Sequence, residues 1–129
     1  MSRESSKIRA LCNQLIKAKR EPFPLAGTPL NVTNRHGVYV IFGPKGIVRH
    51  VGRTVRGQHG LRQRLNDHLH GSSSFTQKAF KGKGARLRGT HRFSFLEVSD
   101  RRTRALLEAL AIGMLCPQHL GLGEKVLRA

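Results

Sequence analysis

Arg64 and His68 stand four residues apart, Glu108 sits within an apolar helical pattern, and seven histidines are scattered through a chain that carries 24 Lys and Arg. These are groups suited to handling phosphate. A guanidinium stays charged and presents a planar fork that matches phosphate oxygens, which makes Arg64 a candidate phosphate holder. A glutamate carboxylate is a ligand that Mg²⁺ takes together with several waters and substrate oxygens. The alternative for Glu108 is a surface ion pair with Arg104 at i−4. Histidines also invite zinc, with His50, His68 and His70 as its ligands. Against zinc, no Cys/His spacing is regular, and His68 and His70 face apart on a helix.

The charge balance points to a polyanion. Lys and Arg outnumber Asp and Glu 24 to 7, giving +17 in 129 residues. No acid lies between Glu21 and Asp67, nor between Asp67 and Glu97, so two long stretches are cationic without internal compensation. Such a surface attracts phosphate backbones at long range, and nucleic acid is the expected partner. Residues 71 to 92 are rich in Gly, Ser, Lys and Arg and read as a mobile basic loop. Its Lys78, Lys81, Lys83, Arg86 and Arg88 are candidate backbone contacts.

Other classes fit poorly. No apolar run approaches the roughly 20 residues that cross a bilayer, and no signal-peptide pattern is visible, so no membrane partner is expected. Residues 2 to 20 resemble a transit peptide in being amphipathic and Arg- and Ser-containing, but Glu4, Glu21 and an orderly helix pattern argue against one. Cys12 and Cys116 are too few for a disulfide scaffold, which suits a reduced compartment. The expected location is cytoplasmic and nucleoid-associated.

The elements that must position these groups follow from periodicity. Ile8, Leu11, Cys12, Leu15 and Ile16 make the apolar stripe of an N-terminal helix over 3–20, ended before Pro22 and Pro24. Residues 37 to 42 alternate as a strand, and a second runs from Ile47 to Val51 after the turn Gly43-Pro44-Lys45-Gly46. A four-residue loop sets Tyr39 opposite His50, whereas a three-residue loop sets it opposite Val51. Leu61, Leu65 and Leu69 mark a helix that Gly71 can end, with Arg64 and His68 along one flank. Arg92 to Val98 reads as a third strand. Asp100 then caps a helix that reaches Leu115, with Leu106, Leu107, Leu110, Ala111 and Met114 buried and Glu108 at their margin. The expected fold is a single small α/β domain over 1–129, with a central, mainly antiparallel three-stranded sheet flanked by helices.

Four stretches in this order carry a family resemblance: Gly37-Val38-Tyr39, then His50-Val51-Gly52 followed by Arg53-Thr54, then residues 60 to 69 with Arg64 and His68, then Leu107-Glu108-Ala109 ahead of Pro117. Across residues 36 to 120 the chain resembles the GIY-YIG nucleases. It departs from them at His50, where the second triplet normally begins with Tyr, and at Leu120, where an Asn is common three residues after the proline. The resemblance implies a metal-dependent endonuclease that leaves 3′-hydroxyl and 5′-phosphate ends, with DNA rather than RNA as the expected nucleic acid. It implies Glu108 as the ligand of Mg²⁺ or Mn²⁺, Arg64 on the scissile phosphate and Tyr39 as the base that takes a proton from water. His50 and His68 would relay that proton, and Arg53 and Arg62 would add phosphate contacts. A homodimer would let one centre cut both strands. The competing expectation is a non-catalytic nucleic-acid-binding module on the same fold.

Overall fold

Six consecutive residues, Gly37–Phe42, form a strand in which every residue is buried, and helices cover both of its faces. The computed structural model describes residues 2–55 and 60–120. In chain order the elements are α1 (Arg3–Lys17), β1 (Glu21–Pro22), β2 (Gly37–Phe42), β3 (Val48–Arg53), α2 (Gly60–His70), α3 (Ser74–Phe80), a 3₁₀ turn (Gly84–Leu87), β4 (Arg92–Glu97) and α4 (Arg101–Leu115). The sheet has four strands in the order β1-β4-β2-β3, and every neighbouring pair is antiparallel. The expected sheet of three thus gains Glu21–Pro22, which pairs with Phe93 and Arg92. Two residues are too short to leave a periodic signal.

The alternation within β2 divides the core in two. Tyr39 and Ile41 join Phe93 of β4 on one face, where Leu61, Leu65 and Leu69 of α2 and Phe75 and Phe80 of α3 cover them. Val38, Val40 and Phe42 face the other way, against Cys12 and Leu15 of α1 and Leu107 and Ala111 of α4. A strand buried on both faces reads as continuously apolar, which accounts for GVYVIF. On α4 the apolar arc is narrower than expected, because Met114 is 62% exposed.

Helix ends follow local chemistry. The Asp100 carboxylate accepts the Thr103 N–H at 2.9 Å, capping α4. Gly71, with φ 79°, follows α2 in the left-handed conformation that a Cβ disfavours. The N-terminal helix stops at Lys17, short of residue 20.

Residues 71 to 92 are not the loop expected of their composition. They carry α3, capped by Ser73, and the 3₁₀ turn, and they bury Phe75, Phe80 and Leu87. These anchors are five and seven positions apart, so they form no helical stripe in the sequence, yet each fills the same sheet face.

The β2–β3 hairpin departs from both expected registers. Gly43 N–H donates to Ile47 O at 2.7 Å and Gly46 N–H to Gly43 O at 2.9 Å, and Gly46 has φ 79°. That is a three-residue loop built on a type I turn with a left-handed glycine. It places Phe42 opposite Val48, but the register then shifts, and Ile41 pairs with His50 and Tyr39 with Gly52. The residue left over on β3 is Arg49, the extra residue of a β-bulge. Consequently His50 shares the α2 face with Ile41 and Tyr39.

Candidate active site

Gly52 explains how Tyr39 fits. It lies directly opposite Tyr39, and a Cβ on Gly52 would collide with the phenol Oη and Cζ and come within 3.1 Å of His50 Nε2. The missing side chain is the space that the tyrosine ring tip and the imidazole share. Tyr39 is 0% exposed, and its hydroxyl meets His68 Nε2 at 2.7 Å. His68 Nδ1 in turn meets Ser73 Oγ at 2.6 Å. Ser73 Oγ already accepts the Thr76 N–H and lies 2.9 Å from Thr76 Oγ1, to which it can pass its own proton. In that arrangement His68 donates from Nδ1 to Ser73 and leaves Nε2 to accept the phenol proton.

Burial dominates the electrostatics. The Tyr39 phenol is pushed up to about 12 by loss of water, with the nearby Arg64 guanidinium pulling the other way and the Glu108 and Asp67 carboxylates adding to the rise. His50 and His68 are held down to about 3 and about 2, first by burial and then by neighbouring positive groups. All three are neutral at pH 7. Tyr39 in this state is a protonated donor, not the ready base that the resemblance implied, because Arg64 offsets only part of the lost solvation.

Arg64 and Arg53 open this buried chain to solvent. Both line a cleft of about 260 Å³ with Thr54, Val55, Gly60, Gln63 and Asp67. Asp67 lies 3.9 Å from Arg64, a loose pair on one helix face. The Arg53 guanidinium donates to Glu108 Oε1 across the edge of the sheet. Arg104 is therefore not the partner of Glu108. It is 2% exposed and gives its guanidinium to the carbonyls of Thr54 at 3.0 Å, Val55 at 3.2 Å, Val98 at 3.1 Å and Ser99 at 2.8 Å. This buried fork ties α4, which carries Glu108, to the ends of β3 and β4.

The five central residues Tyr39, His50, Arg64, His68 and Glu108 thus come together. Of the flanking cations, two are spent on the fold. Arg62 Nε donates to Val32 O at 2.8 Å, and Arg88 Nη1 donates to the carbonyls of Pro24, Leu25 and Thr28. Lys78, Lys81, Lys83 and Arg86 are exposed on α3 and the segment after it. His70 points to solvent, away from the buried His68, and among the described residues no group of three or more His, Cys, Asp or Glu could hold a metal.

Sequence reasoning missed His119. The chain beyond Pro117 runs beside β3, where Gln118 N–H donates to Val48 O and His119 N–H to Arg49 O, and His119 Nδ1 lies 3.0 Å from His50 Nδ1. The ring of Phe75 stacks on His50 at 5.0 Å with planes 7° apart. His50 is thus held on two sides, while its Nε2 is buried without a partner. A histidine two residues after a proline carries no sequence signal for this contact. Family models, curated proteins and solved structures yield no match to this chain.

Proposed function

We propose that this chain is a metal-dependent endonuclease of the GIY-YIG type, hydrolysing phosphodiesters in DNA in preference to RNA and leaving 3′-hydroxyl and 5′-phosphate ends. The observation that carries this reading is the Tyr39–His68–Ser73 hydrogen-bonded chain, set beside Arg64 and within electrostatic reach of Glu108. Glu108 suits a hard divalent ion: it is one carboxylate, 18% exposed, paired with Arg53 of the cleft wall, and Mg²⁺ takes one or two such ligands. Bound there, Mg²⁺ or Mn²⁺ supplies charge neutralisation on the phosphate oxygens.

The chain's own residues do the rest. Arg64, whose side chain is 35% exposed, swings from Tyr39 to the scissile phosphate and uncovers the phenol hydroxyl. Arg53 exchanges Glu108 for a second phosphate oxygen. Tyr39 keeps its own proton, which it donates in a hydrogen bond to His68 Nε2, and accepts a hydrogen bond from the attacking water, which it positions; the water loses its proton to solvent in the open cleft and the departing 3′-oxygen takes one from solvent. Burial raises the phenol and lowers His68, so both shifts oppose transfer of the phenol proton to His68, and positioning is the better role than proton abstraction.

Plasmid nicking with Mg²⁺, Mn²⁺ and chelator tests the proposal, and absence of metal-dependent nicks on DNA and RNA alike overturns it. A second reading, a nucleic-acid-binding module without turnover, is favoured by one observation: the Glu108 carboxylate is engaged by Arg53. Nucleic-acid binding with no nicks supports that reading.

Two substitutions probe the roles. Arg64→Lys keeps the charge and loses the fork, so nicking should fall by about 10²-fold, whereas Arg62→Lys should stay near the parent rate because Arg62 serves the Val32 carbonyl. Equal losses would show that α2 presents the wrong arginine to the phosphate. Tyr39→Phe should lower kcat by roughly 10²-fold with DNA affinity within about 2-fold. Parent kcat in that variant would remove the phenol from the reaction.

A further inference from the structure

The bulge at Arg49 also shapes the surroundings of Phe75 and Phe80. As the extra residue it falls on the same face as His50, and its guanidinium carbon lies 5.8 Å from the Phe75 ring centroid and 5.4 Å from that of Phe80. Arg86, from the 3₁₀ turn, lies 5.5 Å from the same Phe80 ring. His91 completes the group, its ring edge-on to Phe80 at 5.4 Å and 89°. Three cationic or ionisable side chains, from β3, the 3₁₀ turn and the residue before β4, thus lie around one phenyl ring. No salt bridge joins either arginine to a carboxylate among the described residues.

Aromatic faces offset part of this repulsion, but not the lost hydrogen bonds. His91 is 5% exposed, its Nδ1 lies 2.8 Å from Thr90 Oγ1, and its Nε2, like Arg49 Nε, is buried without a partner. Two guanidinium groups brought to one ring beside an imidazole, with the Arg49 Nε donor unsatisfied, are held at a cost unless an anion joins them. A phosphate fits that demand, because it brings negative charge and several acceptor oxygens at once. A carboxylate of a folded protein partner fits less well, since the surrounding surface of Lys78, Lys81 and Lys83 extends the positive field along α3 as a repeating polyanion would use it.

We propose that Arg49, Arg86 and His91 around Phe80 form a second phosphate-binding subsite that holds a backbone phosphate of the nucleic acid flanking the one at Arg64. The identity of the anion as nucleic acid rests on the function proposed above; the subsite itself rests on the cluster. Phe75 touches both this cluster and His50, so one strand passing along β3 and α3 reaches both places. The subsite reads no bases, and its contribution is the same for all sequences.

The test compares the parent with Arg49→Gln/Arg86→Gln, with Arg49→Lys/Arg86→Lys, and with Arg3→Gln/Lys7→Gln, which removes the same charge from α1 on the opposite face of the sheet. Binding of a labelled DNA oligonucleotide is measured across 50 to 200 mM salt, and inorganic phosphate is titrated while the His91 imidazole NMR signals are followed. The glutamine pair at Arg49 and Arg86 should lower DNA affinity on the order of 10-fold and make the salt slope shallower by about 2. The lysine pair should restore most of the slope, and the α1 pair should leave it near the parent value. Phosphate should move the His91 signals in the parent and not in the glutamine pair. A parent that fails to nick DNA overturns the nuclease reading alone, because the phosphate titration still decides the subsite. His91 signals that ignore phosphate, or equal slopes in the Arg49/Arg86 and α1 glutamine variants, overturn the subsite while nicking by the parent stands. Thermal melting of each variant separates lost binding from lost folding, and the lysine pair keeps the result interpretable if glutamines unfold the chain.

Discussion

Glu108→Gln should lower the nicking rate on the order of 10³-fold while the chain folds and binds DNA as before. The amide preserves size and helix propensity, and it can still accept from Arg53, so the cost to stability should be about 1 kcal/mol or less for a pair that is partly exposed. What disappears is the charge that would hold a divalent ion. DNA affinity without metal should stay level or rise slightly, because a negative group next to the phosphate path has gone. The measurements are melting temperature, DNA affinity in chelator and nicking rate in Mn²⁺, at one salt concentration. A folded variant that nicks at the parent rate would remove Glu108 from the reaction and with it the metal site proposed here.

Acid should unfold this protein earlier than its few carboxylates would suggest. His50 and His68 are held at about 3 and about 2 in the folded chain, below the ordinary histidine value near 6.5 that the unfolded chain regains. Their folded values are depressed, so the unfolded state binds protons first. The stability they confer is whole above about pH 6.5 and is lost as pH falls. Each contributes about 1.4 kcal/mol per pH unit below that point, which makes roughly 4 kcal/mol for the pair by pH 5. His91, also lowered, acts in the same direction. The carboxylates of Glu4 and Asp100 are lowered too, but their loss begins below about pH 4.5, so the window from pH 6.5 to 5 isolates the histidines. Denaturant melts across that window should show a steep decline that His50→Gln makes shallower. A flat profile from pH 7 to 5 would mean that these rings are not buried in water-free surroundings.

Much of this arrangement is legible from local pattern. Alternation in GVYVIF, the leucines of α2, the Asp100 cap and Gly71 place the strands and helices that carry Tyr39, Arg64, His68 and Glu108. What stayed hidden depends on long-range packing. Phe75, Phe80 and Leu87 have no common period, so α3 and the 3₁₀ turn were lost in a basic, glycine-rich background. Arg104 looks like any helix-surface arginine until the carbonyls of Thr54, Val55, Val98 and Ser99 converge on it. Arg88 and Arg62 count as free cations in the sequence, yet their donors close loops. The raised phenol of Tyr39 is a property of burial, which no triplet of letters records.

The bulge makes the site sensitive to counting. Between Phe42 and Gly52 the chain has one residue more than regular pairing would use, and that single excess decides the parity of every later side chain on β3. Losing Arg49 would close the bulge and leave Val48 opposite Phe42 and His50 opposite Ile41, so the imidazole would stay beside Tyr39. Pairing Arg49 regularly with Ile41 is what would send His50 toward α1 and α4, and a change within Pro44, Lys45 and Gly46 would be absorbed outside the Gly43–Ile47 closure. A deletion of one residue between that closure and His50 is therefore taken up by the bulge, whereas an insertion of one residue there turns His50 to the other face unless the bulge widens, irrespective of which residue it adds.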